Sequence, residues 1–339
     1  MKRKPSLSIV WFPDCTLWEV DFLRLLTQGL SQYGEVELIR VPAGNEPRSE
    51  KWGDKVWLVA HDWNNALHQV RKQIKGREVW VSVLSLPTEK GSLFTLLWRR
   101  LMPSFPASIQ LITHSPINFR FFREMEGWRN DRLTFHPFGC VPQKQPPKPV
   151  AIAEQKLVVG TFSRLLPESN LNYILNVAHY VVQQRPDVIF RILGTGPLYG
   201  HLIQSVRDLG LESRVEVVET EFSSFLSSVD ILLYPPTRND HFLPLFGAAE
   251  FACPVVSVNL PGIESYLHDG KTGFIVQQFE TKSMAELVIR LIDHEPLRTA
   301  IGLEFQKQMI SRFSLDAVTS EYAEPLFGTR SKVRSIKAA

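Results

Sequence analysis

From Lys156 to Val258, short apolar runs alternate with segments of helical spacing, and no other feature of the sequence limits the fold as much. Residues 156–160 (KLVVG) read as a strand, and residues 171–184 then carry Ile174, Val177, Ala178 and Val181 on one helical face. The next strand, 188–193, ends at Gly194-Thr195-Gly196-Pro197, and a helix over 198–209 follows. The alternation continues with a strand at 215–218, a helix at 223–228, a strand at 230–234, a helix at 244–252 and a strand at 254–258. Strands joined through helices pair in parallel, giving a doubly wound sheet whose ligands gather at the carboxyl ends of its strands. The first half repeats the pattern less regularly, with strands near 7–11, 36–41, 56–60, 79–84, 109–113 and 133–136. The expected fold class is α/β, with two Rossmann-like domains facing each other across a cleft.

The seam between the halves is Pro142-Gln143-Lys144-Gln145-Pro146-Pro147-Lys148-Pro149. So many prolines cannot continue a helix or a central strand, so this segment reads as a stiff extended connector. Composition changes across it. All 8 tryptophans precede it, and residues 1–149 hold 21 Lys+Arg against 14 Asp+Glu, whereas residues 150–339 hold 17 against 21. We therefore expect a domain at 1–141, a linker at 142–149, a second domain at 150–310, a helix at 311–329 returning toward the first domain, and a basic tail at 330–339. No apolar run approaches the ~18 residues of a spanning helix. The 3 cysteines have neither disulfide-framework nor zinc-site spacing. A cytoplasmic protein is expected, with no metal and no cofactor.

Several segments of the second half are motifs rather than generic strands and helices. Gly160-Thr161-Phe162-Ser163-Arg164-Leu165-Leu166-Pro167-Glu168 is followed by Leu193-Gly194-Thr195-Gly196-Pro197 and by Val229-Asp230-Ile231-Leu232-Leu233-Tyr234-Pro235-Pro236. Phe242-Leu243-Pro244-Leu245 then leads to Pro254-Val255-Val256, Pro261-Gly262-Ile263-Glu264 precedes His268-Asp269-Gly270-Lys271-Thr272-Gly273, and Phe313-Ser314-Leu315 precedes Tyr322. In order and spacing this series resembles the retaining, nucleotide-sugar-dependent glycosyltransferases of family 4, over about residues 156–325. The resemblance implies the GT-B architecture. It also implies a donor diphosphate held by an Arg and by a Lys five residues later, with two glutamates eight residues apart holding sugar and ribose. Here Arg164 is kept, the lysine position is Ser169, and the glutamate positions are Asn239 and Gly247. One lost charge-assisted hydrogen bond costs roughly 1.5–3 kcal/mol, or about 10- to 100-fold in affinity.

What survives of that site is largely backbone. Pro244 suits the first turn of the helix that follows, and the amides from Phe242 and Leu243 onward would face an anion. Asn239, Asp240 and His241 are candidates for sugar contacts, while Phe242 stands where the family has a glycine. Gly194 and Gly196 fit either a donor contact or a tight turn, Glu264 either a donor contact or a local cap, and Gly247 a close helix–sheet approach. Arg164 is expected to stabilise the leaving diphosphate, the alternative being a surface ion pair.

In the first half, Asp14 is an acceptor-side base or a helix cap. His61 and His114 end predicted strands, and the acceptor-side reading of His114 stands beside that of a hydrogen-bonded structural residue. The segment from Ser92 to Met102, SLFTLLWRRLM, carries Phe94, Leu97, Trp98 and Leu101 on one helical stripe beside Arg99 and Arg100. It reads either as core packing or as a peripheral contact with the inner membrane face. No nucleic-acid module accompanies the basic residues. The sequence thus points to a hexosyltransferase using a UDP- or GDP-linked sugar, with a glycan or lipid-linked acceptor and retention of configuration. The alternative is an inactive GT-B protein serving as a partner subunit of another glycosyltransferase or as a sugar-binding module.

Overall fold

The computed structural model describes residues 5–12, 15, 17–41, 52–61, 66–67, 69–70, 72–84, 109–125, 132–141, 156–167, 169–237 and 242–328. The linker at 142–149, the 92–102 segment, the basic tail, Asp14, Asn239, Asp240 and His241 lie outside them.

Among the described residues the strands form two parallel six-stranded sheets. The first contains β1 (Ser6–Trp11), β2 (Glu35–Arg40), β3 (Lys55–Ala60), β4 (Glu78–Val83), β5 (Ile109–Thr113) and β6 (Leu133–Phe135), in the order β2-β1-β3-β4-β5-β6. Interior strands β3 (KVWLVA) and β4 (EVWVSV) are buried nearly throughout, as strands covered on both faces must be. Edge strand β2 (EVELIR) mixes exposed and half-buried residues. Helix α1 (Leu17–Leu30) follows β1, and α2 (Pro116–Arg120) follows β5 and passes into a π turn at Phe121–Met125.

The second sheet contains β7 (Val158–Phe162), β8 (Ile189–Leu193), β9 (Val215–Val218), β10 (Ile231–Tyr234), β11 (Val255–Val258) and β12 (Phe274–Val276), in the order β12-β11-β10-β7-β8-β9. Its helices are α3 (Leu171–Gln184), α4 (Tyr199–Asp208), α5 (Phe222–Ser227), α6 (Leu243–Glu250), α7 (Thr281–Asp293) and α8 (Glu295–Phe313). Its core brings Val177 and Val181 of α3 together with Phe190 and Ile192 of β8 and Met284 and Val288 of α7. Helices α5 and α6 pack against each other.

The last helix, α9 (Leu315–Phe327), is separate from α8. Where sequence spacing starts a last helix at 311, the chain breaks at Ser314, which sits at φ −58° and ψ 145°. The Ser314 side chain accepts a hydrogen bond from the Ala317 amide at 3.3 Å, and that cap starts a new helix.

The chain divides into two compact units. The first holds the described residues of Met1–Gly139, Asn239–Phe242 and Phe313–Ala339. The second holds those of Cys140–Arg238 and Leu243–Arg312. Helix α9 belongs to the first unit, where it packs on α1: a Cβ at Gly29 would lie 2.8 Å from Thr319 Oγ1, and the Tyr33 and Phe327 rings stack 6.4 Å apart.

Candidate functional site

In an open parallel sheet, ligands sit where neighbouring strands send their connections in opposite directions. In the second sheet the chain runs β7, β8, β9 toward one edge and β10, β11, β12 toward the other. The switch therefore falls between β7 and β10, and the loops leaving these two strands contain Ser163 to Asn170 and Pro235 onward. Among the described residues the Asn170 side-chain amide joins them, donating to the Pro235 carbonyl at 3.3 Å.

Arg164 lies on the first of these loops. It is half-buried and makes no hydrogen bond or ion pair with any described residue. Its backbone is held from behind by the glycine turn after β8. A Cβ on Gly194 would stand 1.9 Å from the Ser163 carbonyl oxygen, and one on Gly196 would stand 2.1 Å from that of Arg164. Gly196 also has φ +151°, and the Leu198 amide donates to the Leu165 carbonyl at 3.0 Å. Both glycines are thus required by the approach of one backbone to another. They fix the loop that carries Arg164.

The remaining candidates separate into those open to a ligand and those already occupied. Ser169, at the family's lysine position, accepts the Leu166 amide with its Oγ at 3.1 Å and closes the turn before α3. Glu264 folds back on itself, its Oε2 accepting the Gly262 amide at 2.9 Å, which gives it the local capping role. Gly247 makes a close approach, but to another helix and not to the sheet: a Cβ there would lie 2.6 Å from the Phe222 ring and 2.7 Å from Leu226. Sequence spacing could not reveal this, because α5 and α6 lie on different β–α units and meet only in the folded chain. Leu243 and Pro244 open α6 and are buried, with Pro244 in the first turn, where its lack of an N–H costs no helix hydrogen bond. Phe242, just before them, is fully buried with φ 55°, the left-handed conformation that a glycine adopts without strain.

The first sheet has its own switch, between β1 and β3. There His61, after β3, lies 2.9 Å from the Glu19 carboxylate of α1, and Glu19 is 1% exposed. Glu19 is a residue that the motif reading passes over. The signal was present, since it shares an apolar helical stripe with Leu23, Leu26 and Leu30. His114 is built into the interior, at 1% exposure. Its Nε2 lies 2.8 Å from Ser82 Oγ, and its Nδ1 lies 2.9 Å from the His136 carbonyl and 3.0 Å from the Tyr322 hydroxyl. With both nitrogens engaged and no access to solvent, the structural role fits His114 better than direct contact with an acceptor. Burial holds the neighbouring His136 down at about 4, so its ring is neutral near pH 7. Among the described residues no three His, Cys, Asp or Glu side chains gather as metal ligands do.

A polar loop at the switch point, a guanidinium without a partner among the described residues and a helix start together offer what an anion would need. Comparison with known proteins points the same way. Residues 143–308 match the family described as Glycosyl transferases group 1. The second unit carries a group 1 glycosyltransferase domain. The Staphylococcus aureus poly(ribitol-phosphate) alpha-N-acetylglucosaminyltransferase is 21% identical to this chain over 168 residues, covering 49% of this chain and 34% of that protein. The S. aureus capsular polysaccharide biosynthesis glycosyltransferase CapM is 23% identical over 201 residues, covering 58% and 52%. The matched region therefore spans about a third to a half of the length of these curated relatives. Among solved structures, Anabaena HepE in complex with UDP and glucose superposes with a TM-score of 0.71 at 17% identity, covering 95% of this chain and 100% of that one. The fold shared with such neighbours is GT-B. Within the group 1 domain of this chain, Arg164 has no partner among the described residues, while Ser169 and Gly247 are taken up by local packing.

Proposed function

We propose that the chain is a nucleotide-sugar-dependent hexosyltransferase of glycan synthesis whose second unit holds the donor. The observation that carries this reading is Arg164: a half-buried guanidinium without a partner among the described residues, presented at the switch point of the sheet by a glycine turn. A diphosphate leaving group gains charge as its bond to the sugar breaks, so a fixed cation and helix-terminal amides aimed at it lower the barrier. On this reading Arg164 and the first amides of α6 stabilise the departing diphosphate, and Asn239, Asp240 and His241 are the nearest replacements for the family's sugar-binding carboxylate. The first unit then serves a glycan or lipid-linked acceptor, with Asp14 on the acceptor side. HepE, crystallised with UDP and glucose, supports UDP as the first nucleotide to test, ahead of GDP. CapM, of capsular polysaccharide biosynthesis, supports an envelope glycan as the acceptor class. Retention of configuration and a family 4 assignment rest on the motif resemblance. From the sequence we add a place in the cytoplasm and contact of the 92–102 segment with the inner membrane face. Among the described residues no helix is long and apolar enough to cross a membrane.

A second reading has its own support: the Ser169 hydroxyl is spent on a turn, and Gly247 is closed against α5. These favour an inactive partner of another glycosyltransferase. Calorimetric titration with UDP, GDP and their hexose conjugates separates the two. We expect one nucleotide sugar to bind, and Arg164→Ala to weaken it by about 10- to 100-fold, as loss of one charge-assisted contact predicts. Folded protein that binds none of them at millimolar concentration would leave the inactive reading standing.

A further inference from the structure

The amino-terminal end of α3 borders a cavity of about 500 Å³ that Arg164 does not line. This volume lies within the ~300–1,000 Å³ of ordinary small-molecule sites. Ser169 is in its wall, with its Oγ already accepting the Leu166 amide. Asn172 and Asn176 stand one turn apart on α3, so their side-chain amides share a face, and neither amide is engaged by another described residue. His201 of α4 lines the same cavity, as does Phe279 from the connection between β12 and α7. So does Tyr173, which is 7% exposed and whose hydroxyl is buried without a hydrogen-bond partner among the described residues. Buried hydroxyls are ordinarily paired, so one left unpaired on a residue of a cavity wall points to a ligand. Burial and the nearby Glu280 push this hydroxyl up to about 12, and it remains a donor at any physiological pH.

Phe279 is the second unusual feature. It has φ 66°, a left-handed conformation that a bulky side chain rarely adopts, and yet it is 69% exposed. Its ring meets the Tyr173 ring edge to face, with centroids 6.2 Å apart and planes at 86°. The backbone is held in a costly conformation that presents an aromatic face to solvent rather than burying it. Among the described residues no Lys, Arg, Asp or Glu lines the cavity. A phosphate or carboxylate would find no cation in that lining. Amides, a hydroxyl and an imidazole around an aromatic face instead match a ring with many neutral hydroxyls and one apolar face.

We propose that this cavity binds an uncharged glycan segment, with Asn172, Asn176 and the Tyr173 hydroxyl hydrogen-bonding the sugar and Phe279 stacking on it. On this proposal the side chains that cover the Tyr173 hydroxyl move aside to admit the sugar. The proposal rests on the transferase reading only in the choice of sugars as probes. It gives the second unit a hold on a glycan that is distinct from the donor.

The test is a titration of the full chain with maltotriose, isomaltotriose and N,N′-diacetylchitobiose up to roughly 20 mM, a range that reaches millimolar affinities. Binding is read by calorimetry or saturation-transfer NMR, with UDP titrated in parallel. We expect one of these sugars to bind with millimolar affinity or better, whether or not UDP is present. Phe279→Ala and Asn176→Ala should each weaken it by about 5-fold or more. Tyr173→Phe should weaken it too while leaving the melting temperature unchanged or higher, because it removes an unpaired buried hydroxyl and little else. UDP affinity should be unchanged in all three variants. The proposal falls if none of the sugars binds, if binding is the same in the variants, or if UDP displaces the sugar, which would put it in the donor site. Glycan binding without any nucleotide binding would keep this site and remove the transferase reading.

Discussion

Arg164 is informative because of what its neighbours leave undone. The backbone around it is fixed by two glycines whose missing side chains let the loops after β7 and β8 touch. Adding a methyl group at Gly194 forces a backbone oxygen 1.9 Å away to move. Gly194→Ala is therefore expected to cost roughly 1–3 kcal/mol and to weaken nucleotide binding along with it, read by urea denaturation and by UDP titration. Gly200 provides the contrast. It lies in the first turn of α4, a Cβ there would meet nothing within 4 Å, and Gly200→Ala should stabilise by about 0.5–1 kcal/mol. If both substitutions behaved alike, close backbone approach would not be the reason for the glycine at 194. Gly247→Glu, which restores the family's residue type, should destabilise through α5 in the same denaturation assay and leave UDP affinity no higher.

Helix α6 ends on a charge in a poorly solvated place. Glu250 closes that helix, and its Oε1 accepts the Val141 amide at 2.8 Å. Burial outweighs this hydrogen bond and raises the carboxyl from 4.5 to about 7. Burial, with the Glu250 charge adding to it, likewise pushes the Cys140 thiol up to about 12. A carboxyl with a raised folded-state value binds its proton more tightly when folded. Its contribution is thus fully present below about pH 4.5 and is lost as the pH rises through about 7. Glu250→Gln keeps an acceptor for Val141 and removes the titration. It should raise stability at pH 8 by about 1–3 kcal/mol relative to the parent and make little difference at pH 4.5, measured by denaturation at both values. His136 works in the opposite sense, because the unfolded imidazole takes up a proton below about 6.5 that the buried one refuses until about 4. It is common to both proteins, so the difference between them isolates Glu250.

The first unit as a whole is completed by the end of the chain. Tyr322 of α9 is fully buried among Trp57, His114 and His136, with ring centroids 5.2 Å from Trp57 and 4.8 Å from His136. Gly139 lies so close to α9 that a Cβ would stand 3.0 Å from Leu315 Cα. Because all 8 tryptophans lie at or before Trp128, tryptophan fluorescence reports on the first unit alone, while far-ultraviolet circular dichroism reports on both. Truncation before Leu315 should lower the transition seen by fluorescence and leave a substantial dichroism transition from the second unit. Coincident loss of both signals would mean that the second unit does not hold its fold without α9.

Local spacing along the chain was enough to establish the alternation of strands and helices, the parallel pairing that this requires, and the order of the group 1 motifs. Apolar residues at period 3.6, apolar runs and glycine–proline punctuation act within a few residues of themselves, and such signals placed α3 at 171–184 and β9 at 215–218, where the structure has them. What each candidate side chain touches was settled only by packing. Whether Arg164 is paired and which helix Gly247 meets depend on segments brought together from different β–α units. Ser169 and Glu264 are spent on their own loops, but only the folded turn brings hydroxyl or carboxylate onto the amide. The Glu19–His61 pair and the unpaired Tyr173 hydroxyl arose in the same way, since burial and partnership are properties of packed neighbours and not of spacing along the chain.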